Sequence, residues 1–364
     1  MKKFALATVL LISFSIPSAE ASTPVVRITD KPHTGFDGEF RDNELATSLL
    51  PEGKLGKLVS SVSNAKRTWV IDAALIEEVI DMSDGYSIED EEDEAGQAAA
   101  VNWLALLKFS IGDSPVIALP YGNPDQSLAK RLAPSELNFY SAYAKEKLES
   151  QLGRSVRTEN GWGKGSSGLP YQLQSLYTSN RQALTGLSTI TSSSEVRDLR
   201  ARLALVMNSD LKRMDQSYLS YASVEAVKKV MAKLRVNPGR YQLTSDSAKL
   251  PVTLINDFDT PTVVSLSLMP SNSRMAIEDI KKITLEANSR QQLSIEVDVF
   301  APGSTNVKAQ FVNSEGQLVG VESDLELSAT IIDARVAWFT TAAAILLFIG
   351  AITQSVRRIK RGRT

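Results

Sequence analysis

Residues 292–300 read QLSIEVDVF, a stretch in which apolar and polar side chains alternate. Leu293, Ile295, Val297 and Val299 recur at a spacing of two, which is the period of a half-buried β-strand. Similar short segments lie on both sides of it and are separated by turn residues. Several short strands at this spacing predict an antiparallel sandwich of the immunoglobulin-like type over residues 246–330.

The pattern changes towards the N-terminus. Residues 68–72 read TWVID, a strand that ends in a carboxylate, and helical spacing follows over 73–82. A helix at 95–109 and a strand at 115–119 come next, before another helical stretch. This alternation predicts βα units with a parallel sheet, and we expect an abbreviated, barrel-like α/β region at 22–160. The helix at 95–109 is expected to turn these residues inward: Ala98, Val101, Trp103, Leu104 and Leu107.

A connection rich in glycine and serine, followed by helices, is predicted over residues 161–245. Its helices resume at a capping-box pattern, Ser192-x-x-Glu195. The predicted fold class is therefore α+β and multidomain: an abbreviated α/β region, a helical segment, an immunoglobulin-like β-sandwich and one transmembrane helix.

The two ends of the chain carry segments that are typical of export and anchoring. Residues 1–21 combine a basic start, an apolar run and small residues around Glu20, which predicts a signal peptide. Residues 336–353 contain no charge, which predicts a transmembrane helix, and 354–364 form a basic tail. By the positive-inside tendency this tail is cytoplasmic, so we expect a single-pass protein of the plasma membrane with an extracellular ectodomain.

Composition excludes several classes of function. The 364 residues include no cysteine and one histidine, His33, so zinc sites built from Cys and His cannot form and a Ser-His-Asp triad could use only that histidine. Without the leader and the last eight residues, the chain carries 33 basic and 41 acidic residues. This acidic balance argues against nucleic acid as the partner. We expect no metal and no cofactor.

Two carboxylates remain as candidates for catalysis. Asp72 follows the first predicted strand and Asp125 follows the second, so both belong at the carboxyl edge of the sheet, where α/β folds bind ligands. Two acids that flank a bond can cleave a glycoside. The alternative, which we favour, is that each aspartate caps the helix after it. Tyr121 and Trp162 could contact a ligand, and the acidic run at 89–94 is read as a solvated loop.

The order of these motifs resembles a family of secreted, single-pass membrane proteins of unknown function from actinobacteria. The resemblance is carried by WVID at 69–72, VIALPYGNPD at 116–125 and LPVTLIND at 250–257, followed by a sandwich and a terminal helix. It implies a gene that often lies beside that of the lipid II flippase, and a longer α/β region similar to barrels of carbohydrate-active enzymes. The family has no established activity, so the resemblance transfers no catalytic residue.

These observations favour a non-catalytic protein with a binding or accessory role in cell-wall assembly, whose partner is a wall glycan or a wall-synthesis membrane protein. The alternative is a carbohydrate-active hydrolase that uses Asp72 and Asp125.

Overall fold

The computed structural model describes residues 24–61, 66–88, 91–163, 165, 168–330 and 334–361. The predicted signal peptide, 1–21, lies outside the described residues.

An unclosed parallel sheet forms the centre of the N-terminal part. Its strand order is β1-β2-β5-β6, and every pair in it is parallel. The elements of this part, in chain order, are β1 (Val25–Ile28), α1 (Glu44–Leu49), α2 (Lys54–Ser60), β2 (Thr68–Ile71), α3 (Ala73–Ser83), β3 (Ser87–Ile88), β4 (Glu91–Glu92), α4 (Glu94–Ile111), β5 (Val116–Ala118), α5 (Gln126–Leu132), α6 (Glu136–Leu152) and β6 (Arg157–Thr158).

The two faces of this sheet are covered differently. Trp69 and Ile71 of β2 are fully buried in a core that they share with the flanking helices. The opposite face, which carries Val70 and Ile117, packs against Trp162. Because successive strand residues point to opposite faces, the alternation in β2 decides which side chain meets the helices. The resulting sheet has helices on one face, like a segment of a barrel wall that does not close.

Helices follow, and they join the parallel sheet to the C-terminal sheets. They are α7 (Tyr171–Leu187), α8 (Ser194–Arg202), a 3₁₀ helix (Leu203–Met207) and α9 (Arg213–Met231). Arg200 of α8 forms a bidentate ion pair with the buried Glu136 of α6, with N···O distances of 2.7 and 3.0 Å. This pair ties the helical segment to the sheet-bearing part.

Two sheets form the C-terminal sandwich. Their strand orders are β12-β10-β14-β15-β8 and β11-β13-β9-β7. The strands are β7 (Leu234–Val236), β8 (Gly239–Leu243), β9 (Ser247–Asn256), β10 (Thr262–Pro270), β11 (Met275–Ile277), β12 (Ile280–Leu285), β13 (Ser289–Val299), β14 (Gly303–Val312) and β15 (Ser323–Ala329). Ile295, Val297 and Val299 of β13 are buried, as the alternation in 292–300 predicts.

Three expectations need correction in the described residues. The sheets begin with β7, at Leu234, before the predicted start of the sandwich at 246, because β7 and β8 are too short to give a periodic signal. Ala98 and Val101 are exposed instead of facing inward, and 50% of Val101 is accessible. The acidic run is not simply a solvated loop, since Glu91 and Glu92 pair with β3 and Asp93 caps α4 by accepting from Gly96 N at 2.9 Å.

The helix predicted at 336–353 is present within α10 (Ala334–Arg361). The expectation that it spans a membrane is not confirmed: no helix in the described part of the chain has both the length and the apolar character that a membrane crossing requires.

Candidate functional site

The carboxyl edge of the parallel sheet brings the predicted site residues into one neighbourhood. Asp72 directly follows β2, and the loop 119–125 directly follows β5. Since the two strands are parallel, their carboxyl ends lie at the same edge. A hydrogen bond of 2.9 Å from the backbone N–H of Gly122 to Oδ1 of Asp72 joins the two segments.

Asp72 is a buried helix cap. Its side chain accepts from Ala74 N at 3.1 Å, at the start of α3, and from Gly122 N at 2.9 Å. It is only 1% exposed. Burial raises the pKa of Asp72 to about 7, and the negative charges of Glu78 and Asp210 act in the same direction. A carboxyl group that titrates near neutrality could serve as a general acid, but this one faces backbone amides.

Asp125 plays the same structural role at the next helix. Its Oδ1 accepts from Leu128 N at 2.9 Å and from the Ser127 hydroxyl at 2.6 Å, which caps α5. The residue is fully buried, and its backbone N–H donates to Met207 O at 2.7 Å. Both aspartates therefore sit below the protein surface as caps, which is the alternative that the sequence favours.

Tyr121 points into the protein rather than towards a ligand. It is 3% exposed, and its hydroxyl donates to Oε2 of Glu77 at 2.6 Å. Lys147 binds the other oxygen of Glu77 at 3.1 Å, and the ring of Tyr143 packs edge-on at 5.0 Å. Burial, together with Glu77, raises the pKa of Tyr121 well above its usual range. The side chain is committed to this internal network.

Trp162 closes the second face of the sheet. Its ring packs on Val70, Ile117 and Leu119, and its carbonyl accepts from Nη1 of Arg27 at 2.6 Å. The indole N–H donates to Glu159 at 3.2 Å. Trp162 thus fixes the segment after β6 over the sheet, and this packing explains why an aromatic residue interrupts a glycine-rich stretch.

A cleft of about 740 Å³ opens beside these residues, and we call it the sheet-edge cleft. Its floor is the end of β5, one wall is formed by α5 and α6, and the other wall is formed by residues 158–163. The polar side chains among its described lining residues are Gln126, Lys130, Asn138, Ser141, Lys145, Thr158, Glu159 and Asn160. Neither Asp72 nor Asp125 belongs to this described lining, and Glu159 is the one acid in it.

The lysines and amides of the sheet-edge cleft are not evident from the sequence. Lys130, Asn138 and Lys145 lie on exposed helix positions, where polar residues ordinarily face solvent. The signal that could have found them is their place on the two helices directly after β5, because the sheet's carboxyl edge is where α/β folds bind ligands. Lys130 is exposed and forms no ion pair with any residue that the structure describes, whereas Lys145 lies 3.9 Å from Glu149, one turn further along α6.

The chain's one histidine and its acidic side chains are the candidates for metal or triad chemistry in the described residues. No group of three or more His, Asp or Glu side chains among them could hold a metal ion. His33 is 2% exposed and lies in the loop after β1, with Nδ1 3.7 Å from an oxygen of Asp42.

Fold and site together define a class: an α+β protein in which an immunoglobulin-like sandwich follows an unclosed parallel sheet with a cleft at its carboxyl edge. The chain belongs to a family of unknown function, DUF6049, whose profile matches residues 142–364, more than half of the sequence. A comparison with curated proteins gives no match.

Several solved structures are similar to part of the chain. WR4, a member of the MSP family from C. elegans, is 15% identical over 27% of this chain and 99% of its own, with a TM-score of 0.21. A PapD-like domain of human CEP192 is 12% identical over 28% of this chain and 88% of its own, with a TM-score of 0.21. The CARDB domain of a Pyrococcus furiosus protein is 12% identical over 27% of this chain and 94% of its own, with a TM-score of 0.22. These matches concern about a quarter of the chain and carry nothing about ligand or activity.

Proposed function

We propose that this protein is a non-catalytic binding protein of the cell envelope and that its sheet-edge cleft holds a wall glycan or a glycan precursor. The observation that carries the proposal is where the polar side chains lie at the sheet's carboxyl edge. Lysine and amide side chains line the open cleft, whereas the two aspartates that could do chemistry are buried as helix caps.

The lining suits a polar ligand with negative charge. Lys130 and Lys145 carry ammonium groups that can pair with carboxylate or phosphate. Asn138, Ser141 and Asn160 offer amide and hydroxyl groups that can bond with sugar hydroxyls. A volume of about 740 Å³ lies in the range of ligand clefts, so one sugar unit with its substituents can enter. Muropeptides have this combination of hydroxyl, amide and carboxylate groups.

Hydrolysis by Asp72 and Asp125 is not part of the proposal. Glycoside cleavage requires two carboxyl groups that reach the scissile bond from opposite sides. Each of these aspartates bonds to backbone amides and has at most 1% of its surface exposed. No observation favours catalysis strongly enough to keep it as a second function.

The site of action is also proposed. We infer that the protein works outside the cytoplasm, as its expected leader and its lack of cysteine suggest for a bacterial envelope protein. The expected plasma-membrane location, the actinobacterial origin and the position beside the flippase gene stay predictions. Protease added to intact cells would digest the sandwich if this inference is right and would leave it intact if the protein is cytoplasmic.

Titration calorimetry of the full chain with a soluble disaccharide-peptide muropeptide tests the proposed ligand. Lys130→Ala and Asn138→Ala should each weaken binding several-fold, because each removes a group that faces the cleft. Lys228→Ala is the matched control, since Lys228 is an exposed lysine on α9 and is not among the described residues of the cleft. Equal binding by all variants, or no binding by the unaltered protein, would contradict the proposal.

A further inference from the structure

Helix α4 carries apolar side chains on its outer face. Phe109 is 78% exposed, Val101 is 50% exposed and Leu106 is 42% exposed. On the inner face, Trp103 and Leu107 are buried in the core against the parallel sheet. A surface helix normally has one apolar stripe, which faces the core. The second stripe of α4 therefore lies outside the core that the described residues form.

The exposed residues form a continuous stripe. Ala98, Val101, Ala105 and Phe109 follow one another at steps of three and four, and Leu106 flanks them, so all lie on one side of the helix. The exposed Asn102 is the polar residue among them, and it lies near the middle of the stripe. From Ala98 to Phe109 the stripe is about 16 Å long. The two alanines leave room for another helix to approach closely, between the larger Val101, Leu106 and Phe109. Contiguous exposed apolar surface of this kind marks interaction sites.

Charged residues at the two ends of α4 differ in sign. Glu91, Glu92 and Glu94 are exposed at its N-terminal end. At the C-terminal end Lys108 is exposed, and Arg154 donates to the carbonyl of Gly112. These two basic residues outnumber the one nearby acid, Asp113. A parallel pair of these helices would place acid against acid, whereas an antiparallel pair places the acidic end on the basic end. The helix dipoles favour the same antiparallel choice.

We propose that the outer face of α4 is the contact between two copies of this chain, related by a twofold axis, with the two α4 helices antiparallel. A twofold contact uses the same patch on both copies, and the stripe meets this condition. Ala98 of one copy faces Phe109 of the other, and Val101 faces Leu106. Exchanging the two copies gives the same pairs, as a twofold axis requires. The axis passes between positions 102 and 105.

The contact is smaller than that of a permanent dimer. A stable interface buries about 800 Å² on each partner, and a single pair of helices over a stripe of about 16 Å covers less than that. The dimer should therefore form and dissociate with concentration, with a dissociation constant in the micromolar range.

Crosslinking gives the direct test, because the chain has no cysteine of its own. In the full chain, kept in mild detergent, Ala105→Cys lies near the proposed axis and should crosslink to its counterpart through a bismaleimide whose spacer matches the ~8–10 Å between packed helices. Ala95→Cys is the control on the same helix. In the antiparallel pair its two copies are about 25 Å apart and should stay uncrosslinked.

Crosslinking at both positions would overturn the antiparallel arrangement, and crosslinking at neither would overturn the dimer. A dilution series by analytical ultracentrifugation adds a second reading. Exchange of Leu106 and Phe109 together for Gln should raise the dissociation constant at least tenfold. Tyr171→Gln, at an 84% exposed position on α7, should leave it unchanged. A mass that stays dimeric in the double variant, or binding of the unaltered monomer to lipid vesicles with no self-association, would contradict the proposal.

Discussion

Asp72→Asn should make the protein more stable at neutral pH, and the gain should depend on pH. The amide keeps an oxygen that can accept from Ala74 N and Gly122 N, so the cap survives. The substitution also removes a carboxyl group whose ionised form is destabilised by complete burial. Because the pKa of Asp72 is raised in the folded state, from 3.8 to about 7, the folded protein holds this proton more tightly than the unfolded chain does.

The sign and size of the effect on the free energy of unfolding follow from this difference in pKa between the folded and unfolded states. Between pH 3.8 and 7 the unfolded chain loses the proton first, so the contribution of Asp72 to the free energy of unfolding falls as pH rises through this window, and it stays low above it. At about 1.4 kcal/mol per pKa unit, the destabilisation reaches about 4 kcal/mol at pH 8 and is about 1.5 kcal/mol at pH 5. The advantage of Asp72→Asn should therefore grow by about 2.5 kcal/mol from pH 5 to pH 8.

Urea denaturation of both proteins at pH 5, 6, 7 and 8 measures this difference, and the subtraction removes the contributions of titratable groups that do not interact with Asp72. Asp72→Ala is the matched control. It also removes the charge, but it leaves two amides without their acceptor, so it should be less stable than Asp72→Asn at every pH. A difference between Asp72→Asn and the unaltered protein that does not change with pH would refute the reasoning.

Substitutions at three further positions test the packing by the same denaturation assay. Asp125→Ala should lower the free energy of unfolding by about 1 kcal/mol because α5 loses its cap, whereas Asp125→Asn should be close to neutral. Arg200→Ala should cost about 3–5 kcal/mol because it leaves the carboxylate of Glu136, which is 1% exposed, buried without its partner; a cost below about 1 kcal/mol would show that the pair is not needed. Phe311→Ala, in the centre of the sandwich, should cost about 3–5 kcal/mol, and an unchanged midpoint would contradict its burial.

The sandwich is predictable because most of its strands show a local alternation of apolar and polar residues. In β13 the alternation alone assigns Ile295, Val297 and Val299 to the core, and long neighbours such as β9 and β14 repeat the pattern. β7 and β8 were not predictable. Each is short, and β8 pairs in parallel with β15, more than 80 positions further along the chain, so its place depends on tertiary contacts that no local pattern encodes.

At the sheet edge the sequence predicts the positions but not the directions of the side chains. A strand followed by a helix places Asp72 at the carboxyl end of β2. Its burial depends on the loop that contains Gly122, which is in turn fixed by Asn208 through a hydrogen bond of 2.9 Å to the Gly122 carbonyl. Since Asn208 comes from a distant segment, no reading of the two strands alone can tell a catalytic carboxylate from a buried cap.

Helix α4 shows the same limit in another form. Its sequence is apolar almost all round, so periodicity does not single out one buried face. The pattern predicts Val101 inside, but packing against α3 selects Trp103 and Leu107 for the core and leaves Val101 outside. The exposed stripe that results is visible only once the orientation of the helix is known.

The most direct test of the account is a comparison of three full-length proteins incubated with one muropeptide: the unaltered chain, Asp72→Asn with Asp125→Asn, and Lys130→Ala with Asn138→Ala. Calorimetry would report binding, and mass spectrometry would report the fate of the muropeptide. We expect the aspartate variant to bind like the unaltered chain, the cleft variant to lose binding, and the muropeptide to remain intact throughout. Cleavage by the unaltered chain that disappears in the aspartate variant would contradict the account.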